Sequence, residues 1–297
     1  MKLKFFPFYA VSILPMPVLY AMSDSVFLVA YHVIKYRRDV VYSNLKRSFK
    51  DKSEQDIKTI EKSFYKYFCD LMFETIKILT ISPKKVNKRF RIKNLDLIEK
   101  CYNSNKHIIL YAAHQGNWEW LSFLQLYVPY QGITIYKPIS NSYFDELMRT
   151  IRERFGAICV EKNKSYKTVL GNIQNGQLSM FALIGDQSPK STGSKFWTNF
   201  MNQKTAFLTG AERIVTKTNQ VPIFPAFKRI ERGLYELEFK IIDTPELNDN
   251  HHLIDNYSSL LEETIKDSPE LWLWSHKRWK LTDRMESSEF QNTNYNS

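Results

Sequence analysis

The sequence predicts an α/β fold: a mostly parallel sheet flanked by helices, preceded by a hydrophobic helical segment that anchors the chain to a membrane. Three observations lead there. Between residues 107 and 266, apolar runs of strand length alternate with amphipathic helical stretches, the pattern of parallel strands joined by crossover helices. The run 178–184 (LSMFALI) is apolar almost without a break, as a strand covered on both faces must be. Residues 5–34 are nearly all apolar or aromatic and lie between Lys2 and Lys4 on one side and Lys35, Arg37 and Arg38 on the other.

Composition narrows the partners. With 297 residues, 43% hydrophobic and 25% charged, the chain can bury a large core and is not generally disordered. Lys+Arg number 42 against 31 Asp+Glu, a net charge of +11, and 14% of residues are aromatic. Such a surface suits nucleic acid, an anionic bilayer or an acidic protein, and charge alone does not choose among them. Cys69, Cys101 and Cys159 stand singly, without a C-x-x-C pair or a Cys/His cluster. Neither structural zinc nor a disulfide framework is expected, and the three read as small buried residues in a reducing compartment.

The first unit, 1–34, is interrupted by Pro7, Pro15 and Pro17 and carries Asp24. Two short helices in the bilayer interface are therefore expected in preference to one spanning helix. No cleavage site leads into a mature domain start, so signal-peptide removal is not expected. The plainer alternative is a hydrophobic helical pair packed on the protein's own core. The second unit, 35–100, is expected to be helical and to pack on the domain that follows it. Val40, Val41, Leu45 and Phe49 share one helix face; Ser53, with Gln55 and Asp56, starts a long second helix that Pro83 stops.

The third unit, 101–281, is the α/β domain. An apolar strand over 107–113 ends at His114, Gln115-Gly116-Asn117 make a turn, and Trp118-Glu119 open a helix. Strands follow at 132–138, 157–161 and 178–184, with helices at 142–155 and 165–175 between them. A helix is expected over 205–218. A strand over 221–228, broken by Pro222 and Pro225, then pairs with 234–242 as a hairpin, and the last helix covers 253–266. From 282 to 297 the chain turns polar and is expected to be disordered.

Ligands of open parallel sheets bind beyond the carboxyl ends of the strands. Three strands here end in polar residues: His114, Lys137-Pro138 and Asp186-Gln187. They should open toward one crevice. A histidine at a helix mouth is kept neutral by the helix's positive end and can act as a general base. Glu119, five positions on, could fold back and orient the ring through its other N–H. Gly116 allows a close turn, and free N–H groups near the helix start could bind an oxyanion. The chemistry that fits is removal of a hydroxyl proton so that the oxygen attacks an acyl thioester. No G-x-S-x-G, Walker A or G-x-G-x-x-G is present, so serine hydrolysis and nucleotide chemistry lack their signatures. A lone His-x-x-x-x-Glu pair is common by chance; its place at a strand-to-helix junction beside a membrane-seeking segment raises it.

AAHQGNWEW resembles the H-x-G-N-W-E block of the bacterial lipid A late acyltransferases, a lysophospholipid-acyltransferase-like family. Similar blocks follow in the family's order: IYKPISNSYFDELMRTIRERFGA, LIGDQSP, TAFLTGAERIVTKTNQVPIFPAF and SPELWLWSHKRWK, together spanning about residues 107–280. The resemblance implies an inner-membrane enzyme, active on the cytoplasmic face. It would move a fatty acyl chain from acyl carrier protein or acyl-CoA to a hydroxyl of a lipid acceptor, with no cofactor, no metal and no nucleic acid.

In that frame His114 is the base and Glu119 its partner, while Gly116, Asn117, Trp118, Lys137, Pro138, Arg152, Arg154, Asp186 and Gln187 contact substrate. Guanidinium forks match the phosphates of a lipid headgroup, although Arg152 and Arg154 read equally well as helix-surface charge. Asp186-Gln187-Ser188-Pro189 lacks the Tyr-Gly often found nearby in the family, which leaves the acceptor open. A lipid A precursor comes first, a lysophospholipid or aminolipid second. A non-catalytic lipid-binding protein comes third, and the intact His114/Glu119 pair speaks against it. Trp272, Trp274 and Trp279 read as aromatic anchors and His276 as a satisfied structural residue. Lys277, Arg278 and Lys280 are candidates for docking an acidic carrier protein.

Overall fold

A computed structural model describes residues 3–244 and 252–285. The prolines mark the starts of the N-terminal helices, and the second of these is longer than the short helices expected. Pro7 and Pro17 lie in the first turns of α1 (Phe6–Ile13) and α2 (Met16–Leu28), where the missing N–H has no helical partner to lose. Pro15 falls between the two helices. α2 runs on through a π-helical turn at Val29–Val33, so that Met16–Val33 makes one apolar helix of 18 residues, long enough to cross a bilayer.

α3 (Arg38–Ser48) and α4 (Glu54–Lys77) follow. α4 starts at the predicted Ser53 with a full capping box: the Ser53 hydroxyl accepts the Asp56 N–H, and the Asp56 carboxylate accepts the Ser53 N–H. Pro83 opens a one-turn helix α5 (Pro83–Val86), and β1 (Phe90–Ile92) and α6 (Leu95–Asn103) complete the region.

The α/β part runs β2 (Ile108–Ala112), a 3-10 helix (Trp118–Leu126), β3 (Gln131–Tyr136), α7 (Ser142–Arg152), β4 (Ile158–Glu161), α8 (Ser165–Gln174) and β5 (Ser179–Ile184). It continues with β6 (Lys195–Phe200), β7 (Gln203–Leu208), α9 (Gly210–Thr218), β8 (Val221–Glu231), β9 (Leu234–Ile241) and α10 (His252–Asp267). The main sheet has seven strands in the order β1-β9-β8-β2-β5-β3-β4. β2, β3, β4, β5 and β8 are parallel; β9 is antiparallel to β8, and β1 is parallel to β9.

The central strand β2 is buried along its whole length, and the period-two alternation of side chains divides it between two cores. Ile109 and Tyr111 face the core that includes α3, α4, α10 and the tryptophans near the C-terminus; Ile108 and Leu110 face the core under α5, α6, α7 and the 3-10 helix. This two-sided burial is why the strand sequence is a continuous apolar run.

Three expectations change. Residues 205–208 are strand, not helix: β6 and β7 form a separate antiparallel hairpin whose turn residues Met201 and Asn202 both have positive φ, 51° and 61°. That is the backbone of a two-residue type I′ turn, and Asn tolerates it well. β8 runs unbroken through Pro222 and Pro225, because its pairing with β2 ends at Ile223 and Pro225 loses no β2 bond by lacking an N–H. Residues 282–285, expected to be part of a polar tail, are packed: the Thr282 hydroxyl donates to the Lys204 carbonyl (2.6 Å) and Asp283 pairs with Arg47 (2.6 Å). Residues 286–297 lie outside the described part.

The N-terminal helices are one-sided. Phe5 and Leu19 are fully buried, and Lys77 of α4 donates to the carbonyls of Ser12 (2.7 Å) and Leu14 (2.8 Å) at the end of α1. Asp70 of α4 accepts from Ser23 (2.7 Å), Arg229 (2.7 Å) and Arg232 (2.6 Å), pinning α2 to the β8–β9 hairpin. The opposite face leaves Leu3, Phe6, Ile13, Val33 and Ile34 exposed.

Candidate active site

Parallel pairing of β2, β5 and β3 brings their carboxyl ends to one side of the sheet, with Ala112 level with Ile184. His114, Asp186 and Lys137 therefore leave neighbouring strands at the same end, as the strand pattern implied. A surface depression of about 770 Å³ lies at the amino ends of β3 and β5 instead. It is lined by Tyr102, Asn103, Tyr130 and Gln131 among others and contains no carboxylate, histidine or cationic side chain. The histidine and the buried carboxylate lie at the opposite, carboxyl end of these strands.

Asp186, not Glu119, holds the histidine. Its Oδ1 meets His114 Nδ1 at 2.8 Å, and its Oδ2 accepts the backbone N–H of His114 (3.0 Å) and the indole N–H of Trp272 (2.8 Å). A carboxylate can only accept, so Nδ1 carries the proton and Nε2 is the free lone pair. Burial of Asp186 works against ionisation, yet His114 beside it and these hydrogen bonds hold its carboxyl below the usual range. Nε2 lies 3.3 Å from the side-chain amide of the exposed Gln187. The His114 side chain keeps 16% of its surface exposed, against 3% for Asp186.

Glu119 is turned elsewhere. The segment after the turn is a nine-residue 3-10 helix, and its three-residue period stacks Asn117, Trp120 and Phe123 inward. That winding presents Glu119 to α7, where Arg152 grips it with Nε (2.8 Å) and a terminal nitrogen (2.7 Å). Burial alone would raise the Glu119 carboxyl; Arg152, and more weakly His114, bring it below its ordinary value. Trp118 connects the two residues, its ring edge-on to His114 (centroids 5.1 Å apart) and its N–H donating to Glu119 (3.2 Å).

The turn residues are structural. Gly116 has φ +60°, and a Cβ there would lie 2.1 Å from Phe227 Cβ, so only glycine fits. Its N–H donates to the Leu271 carbonyl (2.8 Å) and is not available to an oxyanion; its carbonyl accepts the Tyr67 hydroxyl. Gln115 stands in for a strand: beyond the end of β2, its amide takes both the N–H (3.3 Å) and the carbonyl (3.0 Å) of Phe227 on β8. Asn117 is fully buried and donates to Glu74 (2.6 Å), away from the site opening.

Of the other predicted contacts, Lys137 and Pro138 are exposed at the exit of β3. Arg154 is turned away and donates to the Ile81 carbonyl (2.8 Å). Arg278 is 1% exposed and lies against the Phe207 ring, which removes it as a surface for a carrier protein. His276 is structural as expected and accepts the Ser188 N–H (3.1 Å). The residue that sequence reasoning missed is Trp272. It is brought in by a bridge to Gln115 and by the Leu273 N–H on the His114 carbonyl (3.0 Å). Only its place in a recurring C-terminal block could have flagged it.

Fold and site together define an α/β enzyme with a carboxylate-held histidine at the carboxyl ends of parallel strands. The chain belongs to the bacterial lipid A biosynthesis acyltransferase family, which matches residues 3–281, and it is an acyltransferase. It is 25% identical over 270 residues to the lipid A biosynthesis lauroyltransferase of Escherichia coli (strain K12), covering 90% of this chain and 87% of that one. Identity to the palmitoleoyltransferase of the same organism is 21% over 279 residues, with 93% and 89% covered. To its myristoyltransferase it is 22% over 240 residues, with 80% and 73% covered.

Proposed function

We propose that this enzyme moves a fatty acyl chain from a thioester of acyl carrier protein or coenzyme A to a hydroxyl of a lipid A precursor, with His114 as general base. The observation that carries the mechanism is the double hold of Asp186 on His114, which fixes the tautomer with Nε2 unprotonated and facing only the exposed Gln187 amide, which an acceptor hydroxyl would displace. Nε2 takes the proton of the acceptor hydroxyl as its oxygen attacks the thioester carbonyl. The tetrahedral intermediate then collapses, the C–S bond breaks, and the thiolate leaving group takes the proton back from the imidazolium. Asp186 remains ionised throughout and stabilises the imidazolium between the two transfers.

Glu119 and Arg152 form a closed pair that fixes the 3-10 helix against α7, which makes Glu119 a support of the site and not the partner of the ring. Lys137 stands at the rim as a cation for an acceptor phosphate. The relatives' names differ in acyl chain and agree on lipid A, so the family argues for the acceptor more strongly than for the chain length. The exposed apolar face of the first two helices, bordered by basic residues, fits the cytoplasmic surface of the inner membrane.

The test pairs a deletion strain with mass spectrometry of its lipid A and total lipids, complemented by wild type or by His114→Ala. Loss of one acyl chain from lipid A, restored by wild type and not by His114→Ala, is expected. An unchanged lipid A with a missing phospholipid or aminolipid would move the acceptor to that class. Full complementation by His114→Ala would end the base assignment.

A further inference from the structure

Glu74, in the last turn of α4, is fully buried and belongs to no expected site. Its carboxylate collects three donors from three other parts of the chain: Asn117 Nδ2 at 2.6 Å from the turn after His114, the Tyr235 hydroxyl at 2.9 Å from β9, and the Tyr20 hydroxyl at 2.9 Å from α2. A buried carboxylate is retained at a cost unless such donors surround it. The Asn117 amide is assigned with its NH₂ toward Glu74 because a carboxylate offers no donor in return. The other end of that amide, Oδ1, is buried without a partner, so Glu74 alone sets how Asn117 points.

α4 holds the neighbouring residue too, through the Tyr67 hydroxyl on the Gly116 carbonyl. The helix therefore grips the two positions that lie two and three residues after His114. Tyr20 brings α2 into the same contact, and Arg232, paired with Asp24 and Asp70, covers the Tyr20 ring with its guanidinium 4.5 Å from the centroid. One hydrogen-bonded chain thus runs α2–Tyr20–Glu74–Asn117 to the turn that carries His114.

We propose that Glu74 is a positioning residue for the active-site turn, and that Tyr20 makes this positioning depend on how the N-terminal apolar helices are seated. The N-terminal segment is then part of the scaffold of the site as well as a lipid contact, and an enzyme whose α2 is displaced loses turnover before it loses substrate affinity. The proposal rests on the reading of His114 as the base.

The experiment uses the full-length protein in detergent micelles, with a fatty acyl–acyl carrier protein thioester and a lipid A precursor as substrates. kcat, KM and the thermal midpoint are measured for Tyr20→Phe, Asn117→Asp and Asn117→Asp/Glu74→Gln. Asn117→Asp sets carboxylate against carboxylate and is expected to lower kcat by about ten-fold or more with KM unchanged, since small misplacements of a reacting group are costly. The double variant restores the hydrogen bond with donor and acceptor exchanged and should return kcat to within about three-fold of wild type. Tyr20→Phe should lower kcat by about five-fold, with KM unchanged and a cooperative melt.

Wild-type kcat in both Tyr20→Phe and Asn117→Asp, with His114→Ala inactive, overturns this proposal alone. So does a double variant that melts like wild type yet stays as slow as Asn117→Asp. If Asn117→Asp does not fold, Tyr20→Phe decides by the same criterion. Activity in His114→Ala would overturn the base assignment instead.

Discussion

Asp186 holds His114 at two points: Oδ1 faces the ring Nδ1 at 2.8 Å, and Oδ2 takes the backbone N–H of the same residue at 3.0 Å. Ring and backbone are thus fixed to the exit of β5, and the Trp272 indole (2.8 Å) fixes the carboxylate in turn. An asparagine at 186 can satisfy these positions only by giving up one acceptor for a donor, which sets N–H against N–H at the indole and the backbone, or turns the ring to the tautomer with Nε2 protonated. Asp186→Asn is therefore expected to lower kcat by about 10²–10⁴-fold, the range in which orienting and acid–base contributions fall. Steady-state acyl transfer checks it; a variant keeping more than a tenth of the wild-type rate would return the orienting role to Glu119.

Glu119 predicts a different phenotype. Its bidentate pair with Arg152 is buried at the carboxylate and largely covered at the guanidinium, so Glu119→Gln leaves a mostly desolvated cation without its counter-charge. Breaking such a pair from one side costs about 3–5 kcal/mol, whereas replacing both partners costs much less. Glu119→Gln should lower the denaturation midpoint clearly, and Glu119→Gln/Arg152→Met should recover most of it. A Glu119→Gln protein as stable as wild type but inactive would show that the carboxylate acts in the chemistry itself.

The difference between these two carboxylates marks how far the sequence could be read. Strand exits were legible, because two-sided burial turns parallel strands into apolar runs and leaves His114 and Asp186 as conspicuous polar stops. The partnership between them was not, because it follows from β2 and β5 being neighbours in the sheet, a fact of strand order that no local pattern carries. Glu119 was misassigned for a geometric reason: α-helical spacing was assumed where the inward stripe of Asn117, Trp120 and Phe123 selects 3-10 winding. The β6–β7 hairpin was missed because Thr205 imitates a helix start. The left-handed Met201-Asn202 pair that makes the turn has no glycine to announce it.

The N-terminal segment calls for surface substitution, not removal. Deleting residues 1–34 would expose the cavities left by Phe5 and Leu19 and strip Ser23 from Asp70, so loss of membrane binding would be confounded with unfolding. Phe6, Ile13, Val33 and Ile34 are exposed, and changing all four to serine removes apolar area without touching the packed face. This variant is expected to float poorly with anionic vesicles while keeping its melting temperature within about 3 °C of wild type. Undiminished flotation would place the lipid contact on another surface.

His276 gives the protein a pH response that is independent of turnover. Its Nε2 accepts the Ser188 N–H at 3.1 Å, so protonation would set two donors against each other. Burial, aided by Arg278 and His114, pushes its pKa down to about 4 although Asp186 pulls the other way. An unfolded histidine titrates near about 6.5. Between these two values the unfolded chain binds more protons than the folded one, so stability rises with pH across the interval. The contribution is complete above the unfolded value, declines as pH falls below it, and is gone beneath the folded value. Wild type should therefore lose thermal midpoint between pH 7 and pH 5 more steeply than His276→Gln, whose side-chain carbonyl keeps the Ser188 contact and does not titrate. Parallel slopes for the two proteins would mean that His276 gains no protection from its site, and that the Ser188 contact does not depend on a neutral ring.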